Sequence, residues 1–140
     1  MEASVKWVKD FQFTGTSQSG HEITLDGSGG PKDKASAGAS PMEHILLGLG
    51  GCAGIDVVMI LQKAREDVVD CVVDLDAKRA EIVPAVFTDI HMVFSITGRN
   101  LTESKVENAV RLSAEKYCSA SMMLSKSVNI TRETQIIEAP

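Results

Sequence analysis

Between Ser40 and Glu66 the sequence carries a helix that a single layer of structure cannot cover. Ser40-Pro41-Met42-Glu43 sets a serine N-cap, a proline at the first helical position and a glutamate at the third, which together make a capping box with the favoured proline placement. Downstream, Ile45, Leu46, Leu47, Leu49, Ile55, Val57, Val58, Met59, Ile60 and Leu61 put apolar side chains on every face, until Gln62-Lys63-Ala64-Arg65-Glu66 supplies a polar end. Such a helix must be buried on nearly all sides. Gly48, Gly50, Gly51 and Gly54 work against it, each costing about 1 kcal/mol relative to alanine in a helix interior. Close backbone packing, or a break at Cys52, would account for them.

The rest of the chain supplies strands and a second helix. Ala3 to Thr14 and His21 to Asp26 read as strands with a turn at Ser17 to Gly20, and the glycine-rich stretch Gly27 to Ser40 reads as a mobile loop. Val68 to Leu75 and Ile90 to Ile96 are further strands, the second alternating Ile90, Met92, Phe94 and Ile96 against His91, Val93 and Ser95. Leu101 and Val106 flank a Thr102 N-cap as a hydrophobic staple, and a helix runs on from about Glu103 to Tyr117. Cys118-Ser119-Ala120-Ser121 interrupts it before a short helical turn from Met122 to Lys126, and Asn129 to Ile137 reads as a terminal strand. This is an α+β pattern, and 140 residues suit one domain, residues 1–140.

A net charge of −5, with cations scattered along the chain, points away from nucleic acid and anionic membrane as partners. The charge-free apolar stretch from His44 to Ile55 falls short of the roughly 20 residues of a membrane span. The N-terminal residues Met1 to Trp7 lack a basic region followed by an apolar run, so the expected compartment is the cytoplasm. Gly48-x-Gly50-x-x-Ala53 is formally a dinucleotide fingerprint, but a capped helix stands where the required strand should be. P-loop and Gly-x-Ser-x-Gly patterns are absent, so no cofactor is expected.

Three cysteines, without a Cys-x-x-Cys pair or a neighbouring histidine ligand pattern, read as free or redox-active thiols rather than as a metal site. Cys52 is flanked by Gly50, Gly51 and Gly54, which expose backbone and leave room for a ligand; a helix break there would lower its thiol pKa, while its residue type alone favours a buried core position. Cys118 precedes small residues that can open a helical turn and offer backbone donors to a thiolate. Cys71, among Val69, Val72 and Val73, reads as a packing residue.

The order of a glycine-rich loop, Ser40-Pro41-Met42-Glu43, Gly51-Cys52-Ala53 and Glu115-Lys116-Tyr117-Cys118-Ser119 resembles the OsmC/Ohr family over nearly the whole chain, and looks closest to its YhfA-like branch. The resemblance implies an OsmC-like fold, with antiparallel sheets wrapped around a buried central helix, in an intertwined homodimer. It also implies a thiol peroxidase acting on organic hydroperoxides, with Cys52 peroxidatic, Cys118 resolving, and an unidentified thiol as reductant. Two positions depart from the peroxidase members. Met42 stands where they carry the glutamate, leaving Glu43 one residue later, about 100° around the helix, where the capping box explains it. No arginine lies between Met1 and Gly51, so Lys32 or Lys34 is the substitute on offer, without a guanidinium's bidentate grip. The same dimer could instead be a non-catalytic module binding a small apolar or sulfur-containing ligand beside Cys52.

Overall fold

The computed structural model describes residues 1–29 and 35–140, which fall into two compact units, Met1–Leu47 and Gly48–Pro140. Lys32 and Lys34 lie outside the described residues.

The first unit is an antiparallel sheet of β1 (Ala3–Lys9), β2 (Gln12–Ser17) and β3 (Glu22–Asp26), followed by the start of helix α1 (Pro41–Lys63). The single strand expected from Ala3 to Thr14 is a hairpin. Lys9 pairs with Gln12 across a turn of Asp10 and Phe11, and Asp10 takes φ 44°, a left-handed conformation that aspartate tolerates. Asp26, buried at the end of β3, anchors the loop after it: its carboxylate accepts the Ser28 and Ala37 backbone N–H groups and the Ser28 hydroxyl. These bonds, the Ser28 hydroxyl first, hold its carboxyl below the usual range. The capping box forms as read: Ser40 N–H donates to Glu43 Oε2 at 2.7 Å and Glu43 N–H to Ser40 Oγ at 3.3 Å.

Helix α1 runs unbroken through its glycines, so the break considered at Cys52 does not occur. Close packing accounts for Gly50, while a Cβ on Gly48 or Gly51 would meet nothing within 4 Å. A Cβ on Gly50 would lie 2.8 Å from Leu75 Cδ1, and one on Gly54 3.4 Å from Val73 Cγ2. Beyond Lys63 the helix is closed by Arg65, which takes φ 60°, with Arg65 N–H bonded to Gln62 O and Glu66 N–H to Leu61 O in a Schellman arrangement. By length and composition α1 could cross a membrane, longer than its charge-free stretch alone indicates. Its stripe Leu49, Ala53, Val57 and Leu61 is nevertheless buried within the second unit, as in a core helix.

That unit's sheet runs β4 (Asp67–Arg79), β5 (Phe87–Arg99), β6 (Asn129–Glu138), with β5 central. β4 and β5 are antiparallel, but β6 joins β5 in parallel, an exception to the expectation of antiparallel sheets throughout. The reason is connectivity: α2 (Glu103–Leu112) and α3 (Ser119–Leu124) form a crossover between β5 and β6, the connection that parallel strands need. The alternation in β5 holds, with Ile90, Met92, Phe94 and Ile96 each 2% exposed or less.

Thr102 caps α2 with extended backbone, but its side chain makes no cap bond. It turns to Glu66, which accepts Thr102 N–H at 2.7 Å, Thr102 Oγ1 at 3.1 Å and Lys105 Nζ at 2.7 Å. The bond from Lys105, then that from the Thr102 backbone, hold the Glu66 carboxyl below its usual range. A carboxylate with a depressed folded pKa adds stability above its unfolded pKa, about 4.3, and loses that contribution as pH falls through the folded value. Glu66→Gln should therefore lower the urea midpoint at pH 7 and flatten its decline between pH 5 and pH 3. Equal acid slopes for the two proteins would contradict this role for Glu66.

Candidate functional site

The site lies within the second unit, where the middle of α1 meets the segment joining α2 to α3. That segment is a single π-helical turn, Ser113–Tyr117, closed by Cys118 N–H donating to Ser113 O at 2.8 Å. Ser113, fully buried, donates its hydroxyl to Ala53 O at 3.2 Å and so ties the turn to the helix beside Cys52. The chain then restarts as α3 with Cys118 at its N-cap. The Cys118 sulfur accepts Ser121 N–H at 3.4 Å, which bears out the reading that the residues after Cys118 offer it backbone donors.

Cys52 and Cys118, 66 positions apart in the sequence, are thus brought face to face. Their sulfurs and a carboxylate oxygen of Asp56 all lie within 4.8 Å of one another, and both thiols are free. Cys118 is completely buried, whereas Cys52 is partly open, beside exposed Gly51. Burial pushes the Cys118 thiol above its ordinary value; the Ser121 donors pull it back, and Cys52 adds a smaller push upward. Cys52 itself stands mid-helix, without the helix terminus that the expected break would have given it.

Asp56 escaped the sequence reading, which treated it only as the end of an apolar stretch. Its position was nonetheless informative: it is the only acid between Leu46 and Leu61, and it falls one helical turn after Cys52, on the same face. Its Oδ2 is buried and has no hydrogen-bond partner among the described residues. A buried carboxylate oxygen left in that condition calls for an explanation. Glu43 does not join this group. Its carboxylate is held by Ser40, which keeps it below the usual range. Cys71 sits half-buried on β4, where burial and then the Asp70 carboxylate raise its thiol.

A cavity of about 100 Å³ is lined among others by Ala53, Phe94, Ser113, Ser121 and Arg132; neither Cys52 nor Cys118 lines it. Met92 and Phe94 make one wall apolar, and Arg132, paired with Glu115 at 3.2 Å, provides a cation at the other. That arginine comes from β6, at the far end of the chain from the loop lysines.

A family model described as OsmC-like protein matches residues 30–133. Protein YhfA of Escherichia coli (strain K12) is 52% identical over 139 residues, covering 99% of this chain and all of the relative. Among solved structures, an OsmC-like protein from Mycoplasma pneumoniae shares the fold with a TM-score of 0.82 at 16% identity, covering 97% of this chain and 96% of that one. The organic hydroperoxide resistance protein OhrB of Bacillus subtilis matches with a TM-score of 0.64 at 16% identity, covering 96% and 98%.

The contrast among the three thiols can be measured. Brief alkylation of the folded protein at neutral pH, followed by mass mapping, should mark Cys52 before Cys71 and Cys118. Labelling of Cys71 first would mean that the accessible, reactive thiol lies elsewhere.

Proposed function

Because the chain belongs to the OsmC-like protein family, we propose that it is a cysteine-based peroxidase that reduces organic hydroperoxides, with Cys52 as the attacking thiol and Cys118 as the resolving one. The observation that carries this reading is the approach of the two sulfurs to within 4.8 Å. Disulfide chemistry needs such proximity, and local sequence gives no other reason for it. The name of the Bacillus subtilis neighbour makes an organic hydroperoxide the first substrate class to try.

In the proposed cycle Asp56, within 4.8 Å of both sulfurs, accepts the Cys52 proton. The thiolate attacks the terminal peroxide oxygen, forming an S–O bond as the O–O bond breaks. The departing alkoxide takes the proton from Asp56 and leaves as the alcohol. Cys118 then attacks the sulfenic sulfur, so that the S–S bond forms, the S–O bond breaks, and water leaves with the Cys118 proton. An external dithiol restores both thiols and departs as its own disulfide. The cavity lined by Ala53, Ser113 and Ser121, sequence neighbours of the site residues, is the proposed place for the organic end of a small hydroperoxide. On this reading residues 1–140 act as one OsmC-like domain in the reducing cytoplasm, where a dithiol reductant is at hand.

Turnover of an organic hydroperoxide with excess dithiol tests the proposal. Cys52→Ser should abolish consumption. Cys118→Ser should stop turnover yet leave a trappable sulfenic acid on Cys52, and Asp56→Asn should slow the first step by about 100-fold, as for loss of a general base. Fully reduced wild-type protein that consumes no hydroperoxide would overturn the reading in favour of a ligand-binding module.

The same reading includes a homodimer. Ile55 is 70% exposed and Met59 40% exposed, and with the exposed Gly48 and Gly51 they form an apolar stripe on α1 opposite its buried one. Trp7 and Phe11 in the first unit are 62% and 68% exposed. Patches of this kind mark association surfaces, and a second copy is the proposed cover. Light scattering should give twice 15.0 kDa for the wild type and a smaller particle for Ile55→Glu. A wild-type monomer would remove the dimer from the proposal.

A further inference from the structure

The Cys52–Asp56–Cys118 cluster has a second chemical use. Two thiols and a carboxylate converge with their ligand atoms within 4.8 Å of one another. In a tetrahedral zinc site, Zn–S bonds of about 2.3 Å and Zn–O bonds of about 2.1 Å put the ligand atoms roughly 3.6–3.8 Å apart. The cluster needs to contract by about 1.2 Å at most to reach that spacing, a movement within the reach of side-chain rotation. We propose that Cys52, Asp56 and Cys118 bind one Zn²⁺ in the reduced protein, leaving a fourth position for water or a small ligand.

Three observations carry the assignment. The Asp56 carboxylate, whose Oδ2 is buried and unpartnered among the described residues, gains in the metal a partner it lacks. Cys52 and Asp56 share a helix face one turn apart, so a single rigid element presets two of the three ligands. The third is held from outside, since Ser121 N–H contacts the Cys118 sulfur and Ser113 anchors the π turn to Ala53. Such supporting bonds fix the orientation of metal ligands. The donor set selects the ion. Two thiolates disfavour Mg²⁺ and Ca²⁺, the carboxylate disfavours Cu⁺, and a borderline divalent ion with no geometric demand of its own remains.

Binding releases the two thiol protons: a dithiol plus carboxylate plus Zn²⁺ becomes a zinc dithiolate carboxylate plus two H⁺. Spacing rules do not reveal this site, because they look for paired cysteines and histidines, whereas here the ligands are an i, i+4 pair and a residue 62 positions beyond it. If the peroxidase reading is right, zinc and hydroperoxide compete for the same thiols, so that the metal shields Cys52 from oxidation.

The test is a zinc titration of the reduced full-length protein against a chromophoric chelator in the absence of peroxide, so that it stands or falls separately from turnover. One zinc per chain is expected, unchanged in Cys71→Ser, weakened at least tenfold in Asp56→Asn, and lost in Cys118→Ser. Cobalt in place of zinc should give thiolate charge-transfer absorption and the visible bands of a four-coordinate ion. Should Asp56→Asn fail to fold, the cobalt spectrum of Cys52→Ser, expected to lose thiolate absorption, carries the test. Absence of stoichiometric zinc with all three thiols reduced overturns the proposal, and so does undiminished affinity in Asp56→Asn.

Discussion

Where α1 meets β4, the missing side chain of Gly50 leaves room for Leu75. A Cβ on Gly50 would stand 2.8 Å from Leu75 Cδ1, and one on Gly54 3.4 Å from Val73 Cγ2. These two glycines cost about 2 kcal/mol in helix propensity. Complete burial of Leu49, Val57 and Leu61 on the same helix contributes about 1.5–3 kcal/mol for each side chain, so the close packing wins. The site depends on that outcome. Ala53, between the two glycines, carries the carbonyl that receives Ser113, and Cys52 and Asp56 flank it on one rigid helix.

The π turn supplies the other half of the geometry. A continued α-helix after Leu112 would bond Cys118 N–H to the fourth residue back, whereas here it bonds to the fifth, Ser113. One inserted residue rotates the downstream chain by about 100°, a common device at functional sites. It lets Ser113 face Ala53 while Cys118 leaves the helix, caps α3 and still turns its sulfur toward Cys52. The same serine therefore holds the turn in place and fixes the distance between two cysteines that no local periodicity relates.

The legible parts of the sequence are those governed by local rules. The Ser40–Glu43 capping box, the β5 alternation, the interruption at Cys118 and the second helix all arise from patterns a few residues long. The features that stayed hidden needed a distant partner. The Asp10-Phe11 turn has neither glycine nor proline to announce it. Thr102 has the position of a side-chain cap, but Glu66, 36 residues earlier, takes its hydroxyl. The parallel entry of β6 results from the α2–α3 crossover, not from its own residues. Glycines that cost stability locally suggested a break in α1; β4 shows what Gly50 makes room for, and Gly48 and Gly51 have no such neighbour. Asp56 looked like an interruption of an apolar run until Cys118 came beside it.

Charge ties the proposed chemistries together. With Asp56 ionised and both thiols protonated, the cluster carries one negative charge. As a disulfide beside the carboxylate it carries one, and as a zinc dithiolate carboxylate it again carries one, since three anionic ligands offset two positive charges. A largely buried site cannot accumulate unpaired charge without a penalty of several kcal/mol per ion. Interconversion among these three states adds none, so the same low-dielectric surroundings accommodate all of them. A lone thiolate at Cys118 would be different, because burial already pushes that thiol toward its neutral form. The same burial favours the protonated form of Cys118 over a thiolate. In the proposed cycle that preference suits the partly open Cys52 to the first encounter with hydroperoxide and the buried Cys118 to the second step.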